Sequence, residues 1–247
     1  MEVVAIVNRK GGVGKTATAQ ALGAGLLRKK KKVLYIDLDS QTNLTYGLGA
    51  SVSGLTSMEV LTGEATAQEA IQKTVQGDII AGTEALAGAD AIIDGTGKEY
   101  RLKEAIDGLQ YDYIIIDTPA QLGTLTVNAL TASNSVIIPV QAEIYSLQGI
   151  GQLNKAIEAV KKYCNKDLSI RGILITRYNG RAVISKDMQA NLQEAAEQLN
   201  TRLYNTPIRE CVSIKEAQAS QTDIYSYAPR SNAAKDYEAF IKEFTKG

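Results

Sequence analysis

Histidine is absent from the 247 residues of this chain, and so is tryptophan. Without histidine the chain cannot build a Ser-His-Asp or Cys-His nucleophilic system, a histidine-ligated zinc site or an imidazole acid–base pair. The only cysteines are Cys164 and Cys211, which lie far apart and in no metal-site spacing, so they indicate free thiols in a reducing cytosol. Any hydrolysis must therefore rely on carboxylates, lysines, a metal ion and the substrate's own phosphate oxygens.

Long hydrophobic runs and an excess of charge of one sign are also missing. No run approaches the ~20 residues of a membrane-spanning helix, and the first apolar run begins at once, without the pattern of a signal peptide. Lysine and arginine together number 27, as do aspartate and glutamate. A uniformly basic surface is therefore excluded, whereas a local basic face is not. We expect a cytoplasmic protein with no stable membrane association.

Short apolar runs rich in β-branched residues recur along the chain, and helical patterns separate most of them. The runs are Val3–Val7, Val33–Ile36, Tyr113–Ile116, Val136–Val140 and Ile170–Ile175. Near-continuous apolar strands that alternate with helices predict a parallel sheet covered on both faces. We therefore expect an α/β fold, a single doubly wound and mostly parallel sheet with helices on both faces, forming one domain over residues 1–247.

Helical periodicity predicts the remaining elements, with the segment from Ser51 to Gly97 the hardest to interpret. There we expect short helices at Met58–Leu61 and Gln68–Val75 and a peripheral strand near Asp78–Ala81. The other expected elements are helices at Gly14–Lys29, Leu147–Lys161, Ser185–Asn200 and Ser231–Phe244, and a short strand at Leu203–Asn205. The first of these helices ends in the basic run Arg28–Lys32, which suits a solvated helix C-terminus better than a nucleic-acid contact.

A glycine-rich turn stands between the first strand and the first helix, with the sequence Lys10-Gly11-Gly12-Val13-Gly14-Lys15-Thr16. Backbone N–H groups of such a turn converge on an anion, and the helix dipole adds to the attraction. Lys15 is expected on the β- and γ-phosphates of a nucleoside triphosphate, and the Thr16 hydroxyl on Mg²⁺. Lys10 lies on the wrong side of the turn to act on the same nucleotide.

Carboxylates end two of the predicted strands. Asp117 follows an apolar strand, which is the Walker B arrangement, and its carboxylate is expected to hold Mg²⁺ through water. Asp37 and Asp39 follow the second strand. Because carboxylates repel phosphates, we expect one of this pair on metal-bound water and the other on the attacking water. Ligands bind at the carboxyl ends of parallel strands, so all three acids and the glycine-rich turn should share one edge.

The spelling KGGVGKT resembles the deviant Walker A motif of the ParA/MinD family of ATPases, and the resemblance covers nearly the whole chain. It implies that Lys10 reaches across a dimer interface to the partner's phosphates. It also implies catalytic roles for Lys10, Lys15 and Asp39, with Thr16, Asp37 and Asp117 around Mg²⁺. The implied nucleotide-binding residues are Lys10, Gly11, Gly12, Val13, Gly14, Lys15, Thr16 and Ala17. Ala17, Ser40 and the lack of a glycine near Lys30 depart from the family pattern.

Weaker resemblances to the family concern the loops near the γ-phosphate, the adenine pocket and the DNA-binding surface. Thr118-Pro119-Ala120 and Pro139–Glu143 resemble loops that sense the γ-phosphate, and Asn179, Pro207 and Arg209 resemble the walls of the adenine pocket. Relatives place a basic DNA-binding surface in the second half of the chain. The candidate DNA contacts there are Arg177, Arg181, Lys186, Lys215 and Arg230.

The resemblance implies a short, Soj-like partition ATPase. ATP and Mg²⁺ would drive homodimerisation, the dimer would bind DNA nonspecifically on the nucleoid, and a ParB-type partner would stimulate slow hydrolysis. The cargo stays open among chromosome, plasmid and mobile element. The alternative is a MinD-like ATPase at a membrane surface, although the apolar residues of the tail fit core packing better. An iron–sulfur reductase needs cysteines near the Walker B loop, and a bacterial tyrosine kinase needs a terminal tyrosine cluster; the chain has neither.

Overall fold

The computed structural model describes residues 1–143, 146–180 and 183–246. Its centre is a sheet of seven strands in the order β3-β4-β2-β5-β1-β6-β7, in which only the β3–β4 pair is antiparallel. The strands are β1 Glu2–Ile6, β2 Val33–Asp37, β3 Ile71–Thr74, β4 Gly77–Ile80, β5 Tyr113–Asp117, β6 Ser135–Gln141 and β7 Ser169–Thr176. The mostly parallel sheet confirms the predicted fold class.

Helices cover both faces of the sheet. They are α1 Lys15–Arg28, α2 Asn43–Gly47, α3 Ser57–Thr62, α4 Ala67–Ala70, α5 Ala89–Ile92, α6 Arg101–Ile106, α7 Thr124–Ala132, α8 Ser146–Tyr163, α9 Val183–Gln198, α10 Val212–Ala219, α11 Ile224–Tyr227 and α12 Asn232–Lys246, with 3₁₀ turns at Glu84–Gly88 and Lys98–Tyr100. One core cluster lies under α1, α10, α11 and α12, and the other lies under α3, α6, α7 and α8.

Alternate side chains of the central strands supply these two cores. In β1, Val4 and Ile6 belong to one cluster, while Val3 and Ala5 belong to the other. Since successive side chains of a strand point to opposite faces, a strand buried on both faces must be apolar throughout. That requirement explains why these strands read as uninterrupted apolar runs in the sequence.

Two predicted elements differ in the structure. The segment Gln68–Val75, expected as a helix, is helical only in α4 and then becomes β3, which pairs with β4 through a tight hairpin. Gly77 closes that hairpin with φ of 118°. Pairing with the sheet edge outweighs a weak helical periodicity over so short a segment. The expected strand Leu203–Asn205 is reduced to an isolated bridge between Leu203 and Ile173.

The expected helix at the end of the chain is α12, and its apolar face lies in the core. Tyr237, Phe240, Ile241 and Phe244 are all buried. Within the described residues, no helix combines the length and the apolar character needed to cross a membrane.

Candidate active site

The glycine-rich turn joins β1 to α1 and carries two glycines in the left-handed region. Gly12 has φ of 73° and Gly14, the N-cap of α1, has φ of 84°. Side chains other than glycine adopt such angles rarely, so these two positions explain why the turn is glycine-rich. The N-terminus of α1 therefore opens directly onto the turn, which is the arrangement that binds phosphate.

The two lysines of the turn point to different places. Lys15 is buried, and its Nζ lies 3.5 Å from the carbonyl oxygen of Lys10, folded back over the turn. Burial lowers the pKa of Lys15, while the nearby Asp117 and Asp39 oppose that shift. Lys10 instead extends outward, where its half-exposed ammonium group forms an ion pair with Glu143 in the segment after β6. The Lys10 side chain is thus directed away from the phosphate cradle of its own chain.

Asp117 ends β5 next to the turn. Its Oδ2 accepts a hydrogen bond from the Thr16 hydroxyl at 2.6 Å, whereas its buried Oδ1 has no hydrogen-bond partner among the described residues. Burial, and then the charge of Asp37, raises the pKa of Asp117 well above its usual value. An unsatisfied buried carboxylate oxygen beside a threonine hydroxyl fits a hydrated Mg²⁺, which is held by few protein ligands and by phosphate oxygens.

Asp37 lies beside Asp117 in the sheet register, and both oxygens of its carboxylate accept hydrogen bonds from protein groups. Oδ1 accepts the backbone N–H of Asp39 at 3.0 Å, and Oδ2 accepts the backbone N–H and hydroxyl of Thr45 at 2.9 and 2.7 Å. Burial raises its pKa to about 6, although these hydrogen bonds lower it. Asp37 thereby anchors the loop that carries Asp39, in addition to the metal role expected from the sequence.

No group of three or more carboxylate, histidine or cysteine side chains suited to a metal ion occurs in the part of the chain that the structure describes. The hydrogen bond between Thr16 and Asp117 brings two of the three residues expected around Mg²⁺ together, and their role at the metal stays a prediction.

A cavity of about 650 Å³ opens over the turn. The turn and the start of α1 line it with Gly11, Gly12 and Gly14–Ala17, and the segment after β2 lines it with Asp39, Ser40, Gln41, Asn43 and Tyr46. Further lining residues are Leu86, Ala87, Ala89, Asp90, Pro119, Ala120, Gln121, Gly123 and Leu125, together with Gln218 and Ala219 of α10. The expected catalytic residues Lys15 and Asp39 thus face one shared space, together with Thr16.

The end of β6 contacts the glycine-rich turn, and part of the expected sensing loop Pro139–Glu143, residues Pro139 to Gln141, belongs to this strand. The Gln141 amide donates to the carbonyl oxygen of Gly12 at 3.2 Å, and the Asn8 amide donates to the carbonyl oxygen of Pro139 at 2.6 Å. Asn8 also accepts the backbone N–H of Lys10 at 2.9 Å. Sequence reasoning named Pro139–Glu143 as a sensing loop but missed that Glu143 holds Lys10, because no local spacing links residues 133 positions apart.

The residues expected around adenine lie beside the turn but outside the cavity. Tyr178 and Arg209 form a bridge that places residues 177–179 next to 207–209. Arg209 forms a bidentate ion pair with Asp236, at 2.5 and 2.8 Å. The structure therefore brings together the three residues expected at the adenine base, Asn179, Pro207 and Arg209. Their contact with adenine stays a prediction.

The basic residues expected to contact DNA are not equally available. Lys215 and Arg230 are exposed, and Arg177 is exposed but paired with Glu210 at 2.8 Å. Arg181 lies outside the described residues, as does the side chain of Lys186. The contacts with DNA stay a prediction.

Comparison with known proteins gives one consistent result. A family model described as an AAA domain matches residues 1–170. The chain is 39% identical over 249 aligned residues to the sporulation initiation inhibitor protein Soj of Bacillus subtilis, covering 98% of this chain and 97% of Soj. It is 35% identical over 251 aligned residues to the chromosome partitioning protein ParA of Myxococcus xanthus, covering 99% of this chain and 88% of ParA.

Among solved structures, a cobyrinic acid a,c-diamide synthase from Mycobacterium smegmatis with bound ADP and magnesium has a TM-score of 0.85 at 33% identity, covering 100% of this chain and 94% of that chain. Sequence relatives and fold thus agree with the phosphate-binding turn and its carboxylates. The chain belongs to the ParA/MinD family, as a Soj-like P-loop ATPase.

Proposed function

We propose that this protein is an ATP-dependent dimerising switch that binds DNA nonspecifically and partitions a DNA cargo. It uses ATP and Mg²⁺, acts as one domain over residues 1–247 and works in the cytoplasm on the nucleoid. The observation that carries the proposal is the divergence of two lysines in one turn: Lys15 is folded over the phosphate cradle, and Lys10 is directed away from it.

ATP binding rests on the turn and on the start of α1. The backbone N–H groups of Gly11–Thr16 surround the phosphates, and Lys15 neutralises charge on the β- and γ-phosphates. Thr16, together with Asp117 and Asp37, would hold Mg²⁺, and the ion would supply charge neutralisation on the same phosphate oxygens. Asp117 Oδ1 has no hydrogen-bond partner among the described residues, so it would accept a hydrogen bond from the hydrated ion. Asn179, Pro207 and Arg209 flank the base.

Hydrolysis depends on Asp39, which lines the cavity over the phosphates. Its loop is fixed at two points, because Asp37 accepts the Asp39 N–H and Asp39 Oδ1 accepts the Gln41 N–H at 3.0 Å. Asp39 orients the attacking water, and phosphoryl transfer needs little more than such positioning and charge stabilisation. A histidine base is not required.

Dimerisation depends on Lys10. In the separate chain its ammonium group is paired with Glu143, an exposed pair that stabilises the chain by no more than about 1 kcal/mol. A triphosphate on a second copy offers a stronger partner, so Lys10 exchanges Glu143 for those phosphates and two chains enclose two nucleotides. The half-exposed position of Lys10 makes that exchange possible.

The dimer then presents a composite basic face to DNA, with Arg177, Arg181, Lys186, Lys215 and Arg230 as candidate contacts. Such binding neutralises phosphates without reading sequence, so it weakens steeply with salt. A ParB-type partner bound to the cargo stimulates hydrolysis and releases the dimer. The membrane-surface alternative is disfavoured because the apolar face of α12 is buried against the sheet.

DNA retention with ATP, with ADP and without nucleotide, over a salt series, tests the proposal. We expect retention with ATP and Mg²⁺ only, falling as salt rises, and we expect Lys15→Ala to abolish both retention and ATP-dependent dimerisation. Lys166→Ala, an exposed lysine after α8, is the matched control and should behave as the unaltered protein. Equal retention in all three nucleotide states, or a Lys15→Ala variant that still dimerises with ATP, would contradict the proposal.

A further inference from the structure

The lining of the cavity includes a carboxylate that no step of the proposed function uses. Asp90, in α5, lines the cavity, and its Oδ1 accepts the backbone N–H of Thr124 at 2.7 Å. Thr124 is the first residue of α7, whose N-cap Gly123 has no side chain to cap the helix. Asp90 therefore caps α7 from another helix, 34 residues away.

Gly123 leaves the space that this contact needs. A Cβ at Gly123 would lie 2.7 and 2.8 Å from the two carboxylate oxygens of Asp90, closer than real contacts allow. The backbone of Gly123 has φ of −104°, which any residue adopts. A side chain at position 123 would therefore displace the Asp90 carboxylate, whereas the backbone conformation places no such limit.

The contact fixes one end of the loop that follows Asp117. At the other end, the Thr118 hydroxyl donates to the carbonyl oxygen of Ile6 at 2.9 Å, and Thr118 is fully buried. Between the two anchors, Pro119, Ala120 and Gln121 line the cavity over the phosphate-binding turn. The Thr126 hydroxyl of α7 also donates to the carbonyl oxygen of Gln121 at 2.5 Å, so the position of these three residues depends on Thr118 and on where α7 begins.

We propose that Asp90 is a positioning residue for ATP hydrolysis, which acts by holding Thr124 and thereby setting where residues 119–121 lie relative to the γ-phosphate. Asp90 acts through the loop and does not itself touch ATP. The inference rests on the proposed function in one respect, since it takes this cavity as the site of hydrolysis. It predicts a defect in turnover with ATP binding retained, because Lys15 and the turn are untouched.

Steady-state ATPase assays with Mg²⁺ test the inference on three variants. Asp90→Ala should lower kcat about tenfold with KM for ATP changed less than about twofold, since misplacing a positioning group costs rate more than binding. Asp90→Asn should stay within about twofold of the unaltered protein, because its amide oxygen can still accept the Thr124 N–H. Asp94→Ala, an exposed carboxylate shortly after α5, is the matched control. An unchanged kcat in Asp90→Ala, or an equal loss in Asp90→Asn, would overturn the inference.

A second pair of variants keeps the inference testable even if Asp90→Ala fails to fold. Gly123→Ala displaces the carboxylate and should reproduce the tenfold loss with Asp90 still present. The double variant should be no slower than Asp90→Ala alone, because the space that the methyl group needs is then free. The inference would be overturned if Gly123→Ala kept the kcat of the unaltered protein. It would also be overturned if the loss of kcat in the double variant equalled the product of the two single losses. Absence of any hydrolysis by the unaltered protein would instead contradict the proposed function.

Discussion

At the scale of single residues, the site brings together more negatively charged side chains than positively charged ones. Asp37 and Asp117 are fully buried on neighbouring strands, Asp39 lies beside them, and Lys15 is the cation that faces them. Burial raises the pKa of both buried carboxyls. A divalent cation beside Asp117 would relieve this excess of negative charge.

The raised pKa of Asp37 predicts a pH dependence of stability in EDTA, with no nucleotide. The pKa is about 6 in the folded chain against an ordinary 3.8. Between these values the native state holds a proton that the unfolded state has released, so this contribution is present below about pH 4 and is lost as the pH rises through 6. The Asp37→Asn variant has no carboxyl at this position and so lacks this pH-dependent contribution to stability. Its stability relative to the unaltered protein should therefore improve by on the order of 1–3 kcal/mol between pH 4 and pH 7.

Urea unfolding over that pH range measures the difference between the two proteins. Loss of an acceptor for Thr45 or Asp39 adds a constant offset to the variant, so only the slope with pH is informative. A difference that does not change with pH would contradict the buried, raised pKa of Asp37.

At the scale of elements, the end of α1 shows how the chain closes a helix without glycine at the left-handed position. Lys30 adopts φ of 61°, its N–H donates to Leu27, and the N–H of Lys31 donates to Leu26. This is the Schellman arrangement, in which the left-handed position normally favours glycine. The chain closes the helix in the usual way but places a lysine at the strained position.

Lys30→Gly should accordingly raise the free energy of unfolding by about 0.5–1 kcal/mol, since the left-handed strain is removed. Lys31→Gly is the matched control, because it removes a neighbouring lysine at a residue without positive φ and should be neutral or destabilising. Denaturant unfolding of both variants gives the comparison. If both substitutions destabilised the protein equally, the prediction that strain at Lys30 lowers the free energy of unfolding would be contradicted.

Substitution by alanine at two helical glycines should change the stability of the protein in opposite directions. A Cβ at Gly23 in α1 would overlap the ring of Tyr35, whereas nothing lies within 4 Å of a Cβ at Gly151 in α8. We expect Gly23→Ala to destabilise the protein by about 1–2 kcal/mol despite its better helix propensity, and Gly151→Ala to stabilise it by up to about 1 kcal/mol. Thermal and denaturant unfolding measure the change in the free energy of unfolding of both variants. If the two changes had the same sign, the close packing of Gly23 against Tyr35 would be contradicted.

At the scale of the whole molecule, the sheet separates two charged regions. The turn with Lys10 and Lys15 lies at the carboxyl ends of the strands, while Lys32 lies at the opposite edge, where its carbonyl oxygen accepts the N–H groups of Asp112 and Tyr113 at the start of β5. The basic run Arg28–Lys32 is therefore remote from the phosphates. A nucleotide-dependent dimer that uses the turn leaves this run on its outer surface.

Lys10→Ala should abolish dimerisation with a non-hydrolysable ATP analogue while the separate chain still binds the analogue within about threefold, because Lys15 and the turn remain. Sedimentation with the analogue and a binding titration measure the two properties. Lys29→Ala, at the opposite edge, is the control and should dimerise normally. Dimers formed by Lys10→Ala would contradict the assignment of Lys10 to the partner's nucleotide.

Much of the molecule could be predicted because its determinants are local. Apolar strands buried on both faces, helical periodicity, and glycines before a Lys-Thr pair are each encoded within a few residues, and the rule that parallel strands end at one edge brings the turn, Asp37 and Asp117 together. The same local reasoning was wrong for Gln68–Val75, where pairing between β3 and β4 decided the structure.

The sequence by itself thus determined the fold class, the phosphate-binding turn and the strand-end carboxylates. Only the tertiary structure decided which groups hold these parts in place: Thr45 on Asp37, Asp90 on Thr124 and Glu143 on Lys10, over separations of 8, 34 and 133 residues. The physical reason is that helix period, strand burial and positive φ depend on neighbours in the chain. A side-chain contact instead depends on how packed elements bring distant residues within about 3 Å of each other.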